Sequence, residues 1–329
     1  MNIVGIGTRG SQLTASLFYA TALLMAAGTY AGQDADDGFN PNANNPVYTL
    51  AVQPDGKILV GGLFGTIGGG ARTRVARILS NGRLDTSFDP GIIAGTAVSI
   101  SVYALALQSD DKVVISGEFD EVADQERMNI ARLNADGSLD AAFNPGANST
   151  AYALKIQPDG KIIVGGLFSS LGGQAKKCIG RLNADGSLDT AFNPTTDGII
   201  LSIALQADGK IVVGGWFTLM DNQPRQSIAR LNADGTLDST FLQTNSANDD
   251  VHCDVQCLAI QADGKIIIGG DFAAIDGQER NNIARLNADG SLDTTFDPNA
   301  NNPVWDLDNA EYRQRIVIRL KTGTSCHVS

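Results

Sequence analysis

Two sets of positions carry residues able to do chemistry, and both recur at fixed intervals. The first is a cation: Arg72, Arg127, Lys176, Arg225 and Arg280. Five positive charges presented on one face would hold a polyanion such as an acidic glycan. The competing use is local pairing, because Asp85, Asp140, Asp189, Asp238 and Asp293 recur with the same regularity and would neutralise a cation of their own or the next repeat. The second set is the residue before a recurring Phe, which reads Leu63, Glu118, Leu167, Trp216 and Asp271. It changes where its neighbours do not, as a ligand contact specific to one repeat would, so Glu118, Trp216 and Asp271 are expected to touch a ligand. The bland use of the same position is an exposed site under no constraint. Glu118 and Asp271 are also the carboxylate pair that a glycoside hydrolase needs, drawn from different repeats. Because the chain has only 2 His and no nucleophile–base motif, no catalytic residue is assigned and the expected activity is binding without turnover.

Metal chemistry has two candidates. His252-Cys253-Asp254-Val255-Gln256-Cys257 gathers soft ligands, but the spacing matches no common zinc pattern and a fourth ligand is not evident. Cys257 aligns with Thr49, Ala104, Ala153 and Ser202, a position for small packed residues. The turn Asn183-Ala184-Asp185-Gly186-Ser187-Leu188-Asp189, with copies at Asn134, Asn232 and Asn287, has part of a calcium loop, yet Arg181 stands where the first carboxylate would be. A hairpin with Asp-Gly at its tip accounts for the same residues. Neither a metal nor a cofactor is expected.

The elements that position these residues follow from the repeat. Gln157-Pro158-Asp159-Gly160-Lys161-Ile162-Ile163-Val164-Gly165-Gly166-Leu167-Phe168 has counterparts whose lysines or aligned positions fall at Lys57, Lys112, Lys161, Lys210 and Lys265, and a second anchor places Arg77, Arg132, Arg181, Arg230 and Arg285 at the same intervals. Both anchors therefore belong to one unit. Within it, Val47 to Gln53 reads as an apolar strand, Pro54-Asp55-Gly56 as a hairpin turn and Lys57 to Val60 as a second strand closed by Gly61-Gly62. Glycine pairs there imply a bulge or close backbone approach. Val75 to Ile78 makes a third strand and Leu84 to Phe88 a short fourth. The first two strands are apolar on both faces, so each sheet is covered on both sides. Four-stranded sheets repeating about every 50 residues and stacked face to face predict an all-β fold, a β-propeller.

The quoted stretch, together with Ile-Ala-Arg-Leu-Asn-Ala-Asp-Gly-Ser-Leu-Asp, resembles the delta-60-type repeat of bacterial extracytoplasmic proteins, a propeller-like family of no established general activity. The resemblance runs from Phe39 to about Pro303 and implies no catalytic residue. Four apolar residues before Gly-Gly are also similar to a kelch blade, without the later Tyr and Trp of that family.

Repeats start at Phe39, Phe88, Phe143, Phe192, Phe241 and Phe296, giving five full blades and a partial sixth within a domain spanning 39–320, followed by a tail at 321–329. Insertions around Ile92 to Ser101 and Gln243 to Asp254 are expected as surface loops. Before the repeats, the apolar run Leu17 to Ala27 ends among small residues and reads as a signal peptide over 1–31, too short to span a bilayer as a helix, followed by an acidic linker at 32–38. The chain is thus expected to be secreted and to have no stable membrane span once the leader is removed. A net charge of -12 disfavours nucleic acid. The expected partner is a glycan or a protein at the cell surface. A glycan-active hydrolase or lyase and a purely structural repeat protein are the alternatives.

Overall fold

The computed structural model describes residues 41–96, 100–241, 254–310, 315–320 and 325–328. The expected leader and linker lie outside the described residues, as do His252 and Cys253. The described residues form strands and turns without a helix, arranged as successive small antiparallel sheets.

Blade one pairs Val47–Val52 with Ile58–Gly62, and Ile58–Gly62 with Val75–Ile78. The same order recurs through blade five, Asp254–Ile260, Ile266–Asp271 and Ile283–Leu286. The fourth position of each blade is held by a single bridge, such as Ile78 to Leu84 or Leu182 to Leu188. First strands of adjacent blades pack side by side, which sets them around the axis. Each core cluster mixes two blades: Ala153, Ile163 and Ile179 of blade three pack with Ile200, Ile203 and Val213 of blade four. That is the physical reason the strands are apolar on both faces, and the architecture is a β-propeller.

Two expectations need correction. Residues 325–328, expected in a tail, form the strand Ser325–Val328, which pairs with Arg315–Leu320, so blade six carries three strands beginning with Val304–Ala310. An edge strand left without a partner would expose its backbone donors and acceptors, and this pairing satisfies them. The insertion of blade two is not all loop either: Ile93–Ala94 adds a strand to the hairpin of Glu121–Val122 and Gln125–Glu126.

In blades one to four a buried arginine joins the blade to the next. Arg181 donates from Nε to Asp189 (2.8 Å) and from its terminal nitrogen to the carbonyl of Ala233 in blade four (2.6 Å), and its guanidinium lies 4.5 Å from the centre of the Phe192 ring. Arg77 repeats the pattern with Asp85, Ala135 and Phe88. The Asp-Gly turn of the following blade closes over that Phe. Gly235 has φ +97°, and a Cβ there would lie 2.6 Å from Phe192 Cδ2, so both its conformation and its lack of volume are required.

Candidate ligand-binding face at the channel mouth

The paired glycines shape the site. In the second strand the first glycine faces the next blade: a Cβ on Gly165 would lie 2.6 Å from Ile200 Cγ2, and on Gly214 2.6 Å from Val255 Cγ1. The second faces its own first strand, where a Cβ on Gly62 or Gly166 would strike the carbonyl of Pro46 or Thr150. Opposite these positions the first strand bulges. The pairing skips one residue between Val47 and Thr49, Val102 and Ala104, Ala151 and Ala153, Ile200 and Ser202, Val255 and Cys257, and Val304 and Asp306. A bulge re-aims the side chain of the extra residue.

The six extra residues are Tyr48, Tyr103, Tyr152, Leu201, Gln256 and Trp305. None is buried; Tyr48 is 42% and Trp305 44% exposed. The Tyr103 ring centre lies 5.3 Å from those of both Tyr48 and Tyr152, at interplanar angles of 35° and 48°, so three adjacent blades present a continuous aromatic arc. Sequence reasoning missed these positions, because a strand apolar on both faces hides one residue that faces neither. The signal was present: five of the six recur in register with the lysine and arginine anchors, and Trp305 follows Phe296 at the spacing by which Tyr48 follows Phe39.

The varied position before Phe lies at the same end of the sheet. Glu118 pairs with Ser101, Trp216 with Ile199 and Asp271 with Asp254, each partner two residues ahead of a bulge, while the Leu63 and Leu167 amides bond the carbonyls of Pro46 and Thr150. Two residues along a strand span about 7 Å. The structure therefore places Leu63, Glu118, Leu167, Trp216 and Asp271 beside the bulge residues, with Leu167 46% and Trp216 56% exposed. Burial first, then the charge of Glu118, raises the pKa of Tyr103.

The recurring cations do not form a ligand face. Arg127, Lys176, Arg225 and Arg280 are only 4–8% exposed. Lys176 Nζ donates to the carbonyl of Phe192 (2.7 Å) and to Asn193, Arg127 to those of Glu126 and Ala141, and Arg72, partly buried, to those of Phe88 and Ala71. Arg225 and Arg280 bond the carbonyls of Pro224 and Glu279. Arg72, Arg127 and Lys176 thereby hold the hairpin loop against the segment after the fourth position, which needs a long side chain carrying several donors. Arg72 and Arg280 also pair with an acid, Asp89 (3.8 Å) and Asp297 (3.7 Å), but not with the regular aspartates, whose partners are the anchor arginines and, in blades two to five, Lys112, Lys161, Lys210 and Lys265.

The residues that match part of a calcium loop form turns: Ser187 donates both its amide and its hydroxyl to Asp185, and Ser138 does the same to Asp136. Among the described residues no group of three metal-ligating side chains is found. Cys257 is buried against Gly269, as its alignment with small residues implied, and burial pushes its thiol pKa well up. An open pocket at the hairpin of blade two is lined by Asp120, Glu121, Asp124, Glu126 and Met128, and Asp120 there accepts from Thr96.

A family profile described as "Domain of unknown function (DUF5122) beta-propeller" matches residues 53–88, 108–143, 157–192, 206–241 and 261–296, just over half of the chain. No curated protein matches the sequence. Among solved structures, virginiamycin B lyase from Staphylococcus aureus is 16% identical, with a TM-score of 0.52 over 87% of this chain and 85% of that one. A catalytically inactive variant of that lyase with quinupristin is 15% identical, with a TM-score of 0.53 over the same shares. At these identities the likeness shows the fold alone. No helix among the described residues is long and apolar enough to cross a membrane.

Proposed function

The chain belongs to the DUF5122 β-propeller family, and on that scaffold we propose a non-catalytic binding module that takes its ligand at the channel mouth. One observation carries this reading: the same bulge in six blades aims six side chains that are not the same, within a framework that otherwise repeats. A repeated scaffold with varied tips is how propellers and other repeat folds present a binding surface. Exposed aromatic rings supply most of the contact area, and Glu118, Gln256 and Asp271 supply polar contacts. The partner belongs outside the cytoplasm, as a glycan, peptide or small molecule of the cell envelope. The apolar run Leu17 to Ala27 supports that location. A polyanion fits poorly, because the cations that would have held it are buried on backbone carbonyls.

The test is a panel of envelope glycans and peptides, titrated against the wild type and the Trp216→Ala and Tyr103→Ala variants while tryptophan fluorescence is followed. Binding lost in both variants, with melting temperature within about 2 °C of wild type, supports the reading. Binding indifferent to both overturns it. Quinupristin belongs on the same panel with a product assay, since turnover there would replace the binding module with a lyase. Location is tested by expression with the native leader: an intact N-terminus in the cytosol excludes export.

A further inference from the structure

The mouth combines π faces with two carboxylates, Glu118 and Asp271, that stand outside the ion pairs of the blades. Tyr48, Tyr103 and Tyr152 form the arc, and Trp305 stands at the bulge of blade six. Glu118 in blade two and Asp271 in blade five are three blades apart in a run of six, so they approach the mouth from separate blades. Neither makes an ion pair or a side-chain hydrogen bond among the described residues, although both stand within two strand positions of a bulge. Arg74 has its guanidinium committed to the carbonyls of Leu63, Phe64 and Ile100, and Lys155 stands on the first strand of blade three, three residues past the Tyr152 bulge. Lys177 follows the hairpin strand Gln174–Ala175 of blade three. The net charge of -12 adds a long-range field of the same sign.

Resting on the channel mouth as a binding site, we propose that its ligand carries an organic ammonium group: a cation on a compact apolar body. Aromatic faces attract such a cation through the ring quadrupole, and the effect is largest for a weakly hydrated quaternary ammonium, whose methyl groups also bury apolar area. The two carboxylates, on separate blades, add attraction without forming a tight pair that would demand dehydration of a small ion. A neutral sugar uses the same aromatic faces but gains nothing from uncompensated charge on Glu118 and Asp271. An anion is repelled by both.

The test compares choline with 3,3-dimethylbutan-1-ol, which has the same shape and no charge, by saturation-transfer NMR and calorimetry on the full chain. Choline should bind at least about tenfold more tightly than the alcohol, with affinity falling as salt rises. Glu118→Gln combined with Asp271→Asn should remove that preference while leaving the alcohol's weak binding and the melting temperature unchanged. Tyr103→Leu should weaken choline, because it removes the central ring of the arc. Equal binding of choline and the alcohol overturns the proposal, as does choline binding that survives the double substitution. If a neutral or acidic panel ligand binds at Trp216 and Tyr103 while choline does not, the ammonium class falls and the binding module stands. If no panel ligand and neither probe binds, both fall.

Discussion

Replacing Arg181 by Met removes the charge from a side chain that is 8% exposed while keeping its apolar stem over Phe192. What is lost can be counted from the contacts. The bond to Asp189 goes, yet Asp189 keeps Lys161 at 2.8 Å and the amide of Ala191 at 3.1 Å, so no buried carboxylate is left unpaired. The Ala233 carbonyl loses its donor, but Ala233 is exposed and water can replace it. Gln157 loses a long bond of 3.3 Å. With the ring contact included, the expected cost is about 2–3 kcal/mol, below the roughly 3–5 kcal/mol for stranding a buried charge. Asp189→Asn does strand one, since Arg181 then has only neutral acceptors, and it should cost more than Arg181→Met. Arg285 supplies an internal control. It keeps the Asp293 bond and the Phe296 ring, but its side chain is already 20% exposed, so Arg285→Met should cost less than Arg181→Met. Urea unfolding followed by tryptophan fluorescence and circular dichroism measures all three, provided the two probes coincide. A cost below about 0.5 kcal/mol for Arg181→Met, or Asp189→Asn milder than Arg181→Met, would refute the clamp.

Gly165→Val and Gly214→Val should each destabilise by more than about 3 kcal/mol, because even a Cβ would lie 2.6 Å from the first strand of the next blade; an unchanged unfolding midpoint counts against the packing described. Acid should weaken the protein in a defined window. The hydrogen bond from Lys161, against the cost of burial and with help from Arg181, lowers the Asp189 pKa to about 2, and Asp85, Asp140, Asp238 and Asp293 are lowered too. A depressed carboxyl stabilises fully above its unfolded value of about 4 and loses that contribution as pH falls through the folded value, so melting temperature should drop between about pH 4 and 2. A flat profile there would contradict the pairing. Arg127→Gln with Arg225→Gln should lower the melting temperature, since both are buried on backbone carbonyls, and leave ligand affinity unchanged. Lost affinity with intact stability would restore the cations as a ligand face.

The repeat, its strands and its turns were legible in the sequence because they are local: a hairpin needs Asp-Gly at its tip, and a doubly covered strand needs apolar residues on both faces. Alignment alone also placed Cys257 among small packed residues, and the packing against Gly269 agrees. Partner choice was not legible. Five cations and five aspartates in register suggested either a charged ring or mutual pairing. The fold gives the aspartates to Arg77, Arg132, Arg181, Arg230 and Arg285, and turns Arg72, Arg127, Lys176, Arg225 and Arg280 onto backbone carbonyls that no side-chain pattern records. The mouth depended on structure for a related reason. Tyr48, Tyr103, Tyr152 and Trp305 stood in register all along, but a bulge is a property of two paired strands. A single strand read by its own alternation assigns every residue to one face or the other, and only the paired register shows the residue that belongs to neither.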